Sequence, residues 1–85
     1  MPRSLSSEPY SEFLDVLVTA RREAGLRQVD LAERLGKPQS FVSKVENGER
    51  RLDVVELIVM ARAMGVDEIR FLRTVADAVP KKARL

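Results

Sequence analysis

A chain of 85 residues, 45% of them hydrophobic and 33% charged, has the composition of one globular domain rather than of a disordered segment. It has neither cysteine nor histidine, which excludes disulfides and thiolate metal sites and leaves a hydrolase or zinc site dependent on carboxylates, lysine or serine alone. No signal segment and no long uncharged run occurs, so we expect a cytoplasmic protein without a membrane partner. The net charge of +2 is weak support for a nucleic-acid partner, because ordinary surface charge explains it equally well.

Four glycines divide the chain, and each follows a segment with helical hydrophobic periodicity: Gly25, Gly36, Gly48 and Gly65. Glycine is the residue that most often adopts the left-handed conformation at the end of a helix. No strand pattern and no internal repeat is present. The glycines and the periodicity therefore predict an all-α chain of five short helices.

The first two predicted helices cover about residues 8–24 and 28–35. The apolar stripe of the first is Tyr10, Phe13, Leu14, Leu17 and Val18, with Arg21 on the same face. The apolar set of the second is Val29, Leu31, Ala32 and Leu35. The third predicted helix begins at Pro38, a favoured first-turn residue, and ends near Asn47, with Val42 and Val45 directed inward.

The last two predicted helices follow clear start signals. Asp53 and Glu56 form a capping box before a helix that is apolar on most sides, so this helix should be central or shared with a partner. Asp67 caps the fifth helix and Pro80 stops it. The apolar stripe of the fifth helix is Ile69, Leu72, Val75, Ala76 and Val79.

The segment of residues 28–47, QVDLAERLGKPQSFVSKVEN, combines two short helices with a glycine turn. A helix-turn-helix needs a small residue where its helices touch, a glycine in the turn, and apolar residues that hold the second helix to the first. Ala32, Gly36, and Val42 with Val45 meet these needs in this order. We therefore predict one helix-turn-helix domain at residues 8–79, between a flexible tail at 1–7 and a basic tail at 80–85.

Over about residues 10–72 the chain resembles the lambda-repressor-like proteins, the phage repressors, Cro proteins and bacterial relatives also called the XRE family. The resemblance is carried by LRQVDLAERLG, QSFVSKVENGERRLDV and ELIVMARAMGV. It implies a compact five-helix domain that binds operator DNA as a dimer, with residues 38–47 in the major groove. Arg27 departs from the family, which often has a Ser or Thr cap there. Either the second helix frays at its start, or Arg27 contacts a phosphate.

The polar face of the third helix is the predicted base-reading surface. Gln39 can pair with adenine and Lys44 with guanine. The resemblance implies that the positions of Gln39, Ser40 and Lys44 read bases, and Ser43 shares their face. Phe41 either packs at the rim or contacts a thymine methyl group. The alternative for the whole face is a solvated polar helix surface.

Residues around this helix are the predicted contacts to the DNA backbone. Gln28 opens the second helix, where free N–H groups and the helix dipole attract a phosphate, and the resemblance implies the same role. Arg50 and Arg51 follow the third helix and can bind phosphates, although a solvated loop explains them equally well. The full predicted set is Arg27, Gln28, Lys37, Asn47, Arg50 and Arg51.

Arg21 and Glu46 each lie on the apolar face of a helix, where an unpaired charge is costly. The resemblance places them opposite each other, as a structural ion pair between the first and third helices.

One helix-turn-helix reads only a few base pairs, so we expect a homodimer. The fifth helix carries more apolar residues than a covering helix requires, and the predicted interface is Ile69, Phe71, Leu72, Val75 and Val79, with Val59 and Met60 as neighbours. Phe71 lies off the main stripe and should be available to a partner. The alternative is that all of these residues close the core of a monomer.

The leading functional hypothesis is a sequence-specific regulator, a repressor of a palindromic operator. The alternative is an antitoxin or an interaction adapter of the same fold, with a toxin or another regulator as protein partner. An enzyme is the weakest hypothesis, because no acid–base pair, activated nucleophile or phosphate loop can be assembled. We expect no catalytic residues, no metal and no cofactor.

Overall fold

The computed structural model describes residues 8–84, and its helices form where the hydrophobic periodicity predicts them. Their bounds are α1 Glu8–Glu23, α2 Gln28–Leu35, α3 Gln39–Glu46, α4 Val54–Met64 and α5 Glu68–Ala78. The described part contains no strand. The tail predicted at residues 1–7 lies outside the described residues, and residues 80–84 continue past α5 without helix.

The turn between α2 and α3 depends on Gly36. Its φ of +68° lies in the left-handed region of backbone conformation, which residues with a Cβ atom rarely adopt. The N–H of Gly36 donates to the carbonyl of Glu33, and the N–H of Lys37 donates to the carbonyl of Ala32, which completes the end of α2. Pro38 is extended, at φ −71° and ψ 156°, so α3 begins one residue later than predicted.

The core lies where α2 and α3 meet the other helices. In the described part, α2 packs against α3 and α4, α1 packs against α3 and α5, and α4 packs against α5. The buried apolar side chains are Phe13, Leu14, Leu17, Leu31, Ala32, Val42, Val45, Met60, Ala61, Met64 and Phe71. None of the helices described between residues 8 and 84 is long and apolar enough to cross a membrane.

The predicted caps of α4 and α5 are confirmed. The carboxylate of Asp53 accepts from the N–H of Glu56 at 2.8 Å, and the carboxylate of Glu56 accepts from the N–H of Asp53 at 3.0 Å. Asp67 accepts from the N–H groups of Ile69 and Arg70 at 2.8 and 3.0 Å. Each carboxylate satisfies donors that have no partner inside the helix.

The prediction that Phe71 is available to a partner is wrong. Phe71 is 5% exposed, whereas Ile69 and Leu72 are 66% and 49% exposed. The helix has apolar residues on two faces, and the larger ring of Phe71 fills the space against α1 and α4, with Val75 one turn later on the same side. Phe71 therefore belongs to the core and offers no surface to a second chain.

Two smaller predictions are also corrected. Met60, expected beside a dimer surface, is 2% exposed and lies in the core, while Val59 next to it is 49% exposed. Val29, expected on the apolar face of α2, is 43% exposed. The buried residues of α2 are Leu31 and Ala32, and Val29, in the first turn of the helix, faces solvent.

Candidate nucleic-acid interface

Helix α3 has one buried face and one accessible polar face. Val42, Val45 and Glu46 are buried, and they fix the helix against the core. The side chains on the other face are Gln39, Ser40 and Lys44, which are exposed, and Ser43, which is half-buried. The predicted base-reading residues therefore lie together on one surface.

A buried ion pair joins α1 to the last turn of α3. The Nε of Arg21 donates to Glu46 Oε2 at 2.6 Å, and a terminal nitrogen donates to Oε1 at 3.1 Å. The other terminal nitrogen of Arg21 donates to the carbonyl of Leu26 at 2.8 Å. Arg21 is 7% exposed and Glu46 is 6% exposed. The side-on geometry compensates both charges, as the family resemblance implies, and it links α3 to α1.

Gln28 connects this ion pair to the accessible face of α3. Its Nε2 donates to Glu46 Oε1 at 2.9 Å, and its Oε1 lies 3.4 Å from Nε2 of Gln39, which donates to it. A chain of polar side chains thus runs from Gln39 through Gln28 and Glu46 to Arg21. The amide nitrogen of Gln28 carries two hydrogens, and the hydrogen bond to Glu46 uses one of them.

Helix α2 begins without a capping side chain on Arg27, because a guanidinium group cannot accept a hydrogen bond. Asp30 supplies the cap instead, and it accepts from the N–H of Arg27 at 2.8 Å. The same carboxylate pairs with the guanidinium group at 2.9 and 3.0 Å. Hydrogen bonds from Arg27 lower the pKa of Asp30 to about 2, and the pair raises the pKa of Arg27. The helix start is therefore held by Asp30, a role that was not predicted from the sequence.

Arg50 is held by a carboxylate and an aromatic ring. Its two terminal nitrogens donate to Glu56 at 2.7 and 2.6 Å, which lowers the pKa of Glu56 to about 2. Its guanidinium carbon lies 5.2 Å from the ring centroid of Phe41, and Nζ of Lys37 lies 5.4 Å from the same centroid. Phe41 is half-buried against the core, which supports the interpretation as rim packing.

Arg51 and the residue after it contact α1. The guanidinium carbon of Arg51 lies 3.9 Å from the ring centroid of Tyr10. The N–H of Leu52 donates to the hydroxyl oxygen of Tyr10 at 3.1 Å. From the sequence Tyr10 is expected only in the core, and no local pattern indicates this contact across 42 residues.

The predicted backbone contacts surround α3 but differ in charge compensation. Arg27 and Arg50 are paired with Asp30 and Glu56. Lys37 lies in the turn before α3, and Asn47 caps the end of the helix.

Within residues 8–84, no group of three or more acidic residues is placed to hold a metal ion.

Comparison with known proteins assigns this geometry to a family. Residues 17–71 match the family model described as "Helix-turn-helix". The chain is 37% identical over 60 residues to the "Uncharacterized HTH-type transcriptional regulator y4dJ" of Sinorhizobium fredii, covering 71% of this chain and 77% of that protein. The fold is similar to that of an "XRE-family like protein" from Pseudomonas syringae, with a TM-score of 0.77, 49% identity, and coverage of 85% of this chain and 88% of that chain.

A second structural similarity concerns the fold alone. The wild-type restriction–modification controller protein C.Esp1396I superposes with a TM-score of 0.79 at 23% identity, over 92% of this chain and 100% of that chain.

Proposed function

Because the chain belongs to the XRE-type helix-turn-helix family of DNA-binding transcriptional regulators, we propose that it is a repressor that binds a palindromic operator as a homodimer. The family is a family of regulators and not of enzymes. One observation carries the proposal: α3 presents a polar face whose orientation is fixed from behind by the buried pair of Arg21 and Glu46. A recognition helix needs both an accessible polar surface and a rigid attachment to the rest of the domain.

We assign base contacts to Gln39, Ser40, Ser43 and Lys44. Gln39 is the first residue of α3, and the N-terminal part of a recognition helix enters the major groove. Its hydrogen bond with Gln28 leaves the amide pre-positioned for the donor–acceptor edge of adenine. Lys44 is exposed in the last turn and can donate to guanine.

We assign phosphate contacts to the residues that surround α3: Arg27, Gln28, Lys37, Asn47, Arg50 and Arg51. Lys37, Arg50 and Arg51 each lie over an aromatic ring. A carboxylate compensates the charge of Arg27 and that of Arg50. Each should therefore attract a phosphate more weakly than an arginine without such a carboxylate. The exposed Lys81, Lys82 and Arg84 of the basic tail add attraction without sequence preference.

The homodimer is supported by an apolar strip on α4 and α5, defined by Val55, Val59, Ile69 and Leu72, all of which are exposed. Arg62 pairs with Glu68 at 2.8 Å across the two helices. Val59 lies about one turn before Arg62 and Leu72 about one turn after Glu68, so helical spacing brings the two halves of the strip together. Val79 is half-buried and can extend the strip. Val75 packs against the core on the side of Phe71, and Phe71 and Met60 are buried.

Selection of bound sequences from random duplexes, at a stated salt concentration, tests the proposal. We expect enrichment of two inverted half-sites whose centres are about 10–10.5 base pairs apart, or a multiple of this, because two recognition helices related by a two-fold axis must enter successive major grooves. Enrichment of a single unrepeated half-site would contradict the homodimer, and the absence of any enriched sequence would contradict specific recognition.

A further inference from the structure

Lys37 lies in the turn between α2 and α3 and is held at two points. Its N–H donates to the carbonyl of Ala32 at 3.0 Å, which fixes its backbone at the end of α2. Its side chain is exposed, and Nζ lies 5.4 Å from the ring centroid of Phe41. An ammonium group within about 6 Å of a ring centroid is attracted by the negative face of the ring. This contact therefore joins the turn to the first turn of α3.

Glu56 does not pair with Lys37, because Arg50 already occupies both of its oxygens. The two terminal nitrogens of Arg50 donate to these oxygens at 2.7 and 2.6 Å, and the N–H of Asp53 donates to one of them at 3.0 Å. Hydrogen bonds from Arg50 and, less strongly, the charge of Lys37 lower the pKa of Glu56 to about 2. Within residues 8–84, no carboxylate forms an ion pair with Lys37, so its charge is not compensated as that of Arg50 is.

Phe41 is a fixed support for this ammonium group. Its ring is half-buried and packs against the core. A lysine loses rotamer freedom when it binds a ligand, and contact with a fixed ring removes part of that freedom before the ligand arrives. The ammonium group has three N–H donors, and none of the hydrogen bonds described for residues 8–84 uses them. Lys37 is thus an exposed cation with a preferred position beside the start of α3.

We propose that Phe41 is a positioning residue for DNA binding: its ring holds the ammonium group of Lys37 beside the N-terminus of α3, where the group binds a phosphate of the duplex. The inference rests on the proposed function, since it requires the start of α3 to face DNA. It gives an apolar side chain of α3 a part in affinity that goes beyond packing at the rim of the core.

The test measures affinity for a duplex of unrelated sequence over a series of salt concentrations. The full-length wild type is compared with Lys37→Ala, with Phe41→Tyr, with the ringless variants Phe41→Leu and Phe41→Met, and with each ringless variant combined with Lys37→Ala. We expect Lys37→Ala to reduce the slope of log K against log salt by about 0.9 per bound copy, the value for one lost phosphate contact. Each ringless variant should weaken binding about 2–5-fold, the effect of one exposed cation–π contact, and Phe41→Tyr, which keeps the ring, should not.

The combined variants separate positioning from packing. If Phe41 acts through Lys37, removal of the ring causes no further loss of affinity once Lys37 is alanine. A loss of the same size in both backgrounds, or no loss in either ringless variant, would overturn the inference whatever the change in melting temperature. A wild type that binds while Lys37→Ala keeps its full affinity and slope would overturn this inference alone. A wild type that binds no duplex would overturn the proposed function and this inference with it.

Discussion

The Nε of Arg21 lies 2.6 Å from Oε2 of Glu46, and this contact joins the C-terminal turns of α1 and α3. Both side chains are buried, and Gln28 donates to the second oxygen of Glu46. Helix α3 is thus fixed by a hydrogen-bonded ion pair, and the described chain leaves no buried polar side-chain atom without a partner. Such a pair adds little net stability, but the loss of one member leaves a buried charge.

Arg21→Ala should therefore lower the free energy of unfolding by roughly 3–5 kcal/mol, because Glu46 stays buried without its counter-ion. Arg22→Ala is the matched control, since Arg22 is the exposed neighbour of Arg21 on the same helix. Urea denaturation of the three proteins measures the difference. An unfolding curve of Arg21→Ala that coincides with that of Arg22→Ala would show that the buried pair does not constrain the fold.

The start of α4 should depend on pH through Glu56. Hydrogen bonds from Arg50 lower its pKa from 4.5 to about 2 in the folded chain, so folding favours the ionised carboxylate. The stabilisation is then present above pH 4.5 and is lost as the pH falls from 4.5 towards 2. We expect the difference in melting temperature between wild type and Glu56→Gln to shrink over this range. Glu49→Gln, in the loop before α4, is the charge control, and a difference that is constant with pH would contradict the assignment.

The burial of Phe71 can be tested against its exposed neighbour. Phe71→Ala should lower the free energy of unfolding by about 3–5 kcal/mol, because it leaves a cavity between α5 and the rest of the core. Leu72→Ala should change it by less than about 0.5 kcal/mol, as is usual at a half-exposed position. Urea denaturation at a concentration where the protein is monomeric compares the two. Equal losses would mean that the helix face is assigned wrongly.

The apolar strip on α4 and α5 leads to a prediction about self-association. Leu72→Asp should shift the chain towards monomer, because a charge in the middle of an apolar contact between two copies is not compensated. Val29→Asp introduces the same charge at an exposed valine of α2, outside the strip, and should leave association unchanged. Sedimentation equilibrium without DNA measures both. A wild type that stays monomeric at every concentration, or a Leu72→Asp variant that associates as wild type does, would rule this surface out.

Sequence patterns were sufficient for the parts of the fold that depend on local signals. Glycine positions and the Asp53–Glu56 capping box marked helix ends to within a residue or two, because these signals act on the nearest backbone groups. The pairing of Arg21 with Glu46 came from the resemblance, and its chemistry was visible as two charges on apolar faces.

Contacts between distant segments were not predictable in this way. Helix α5 has two apolar faces, and only packing against α1 and α4 decides that Phe71 points inward while Ile69 does not. The contact of Tyr10 with Leu52 likewise spans 42 residues and has no sequence period. The capping role of Asp30 could have been predicted, since a carboxylate three residues after a helix start is a capping signal even when the cap residue is arginine.

The most direct test of the central claim, that the accessible face of α3 reads bases, compares two DNAs. Gln39→Ala and Lys44→Ala are titrated against the selected operator and against an unrelated duplex, with Thr74→Ala on α5 as the control. We expect each α3 variant to lose about 1–3 kcal/mol of binding free energy on the operator and almost none on the unrelated duplex, because base contacts discriminate and phosphate contacts do not. Equal losses on both DNAs, or no loss on either, would contradict the assignment of α3 as the recognition helix.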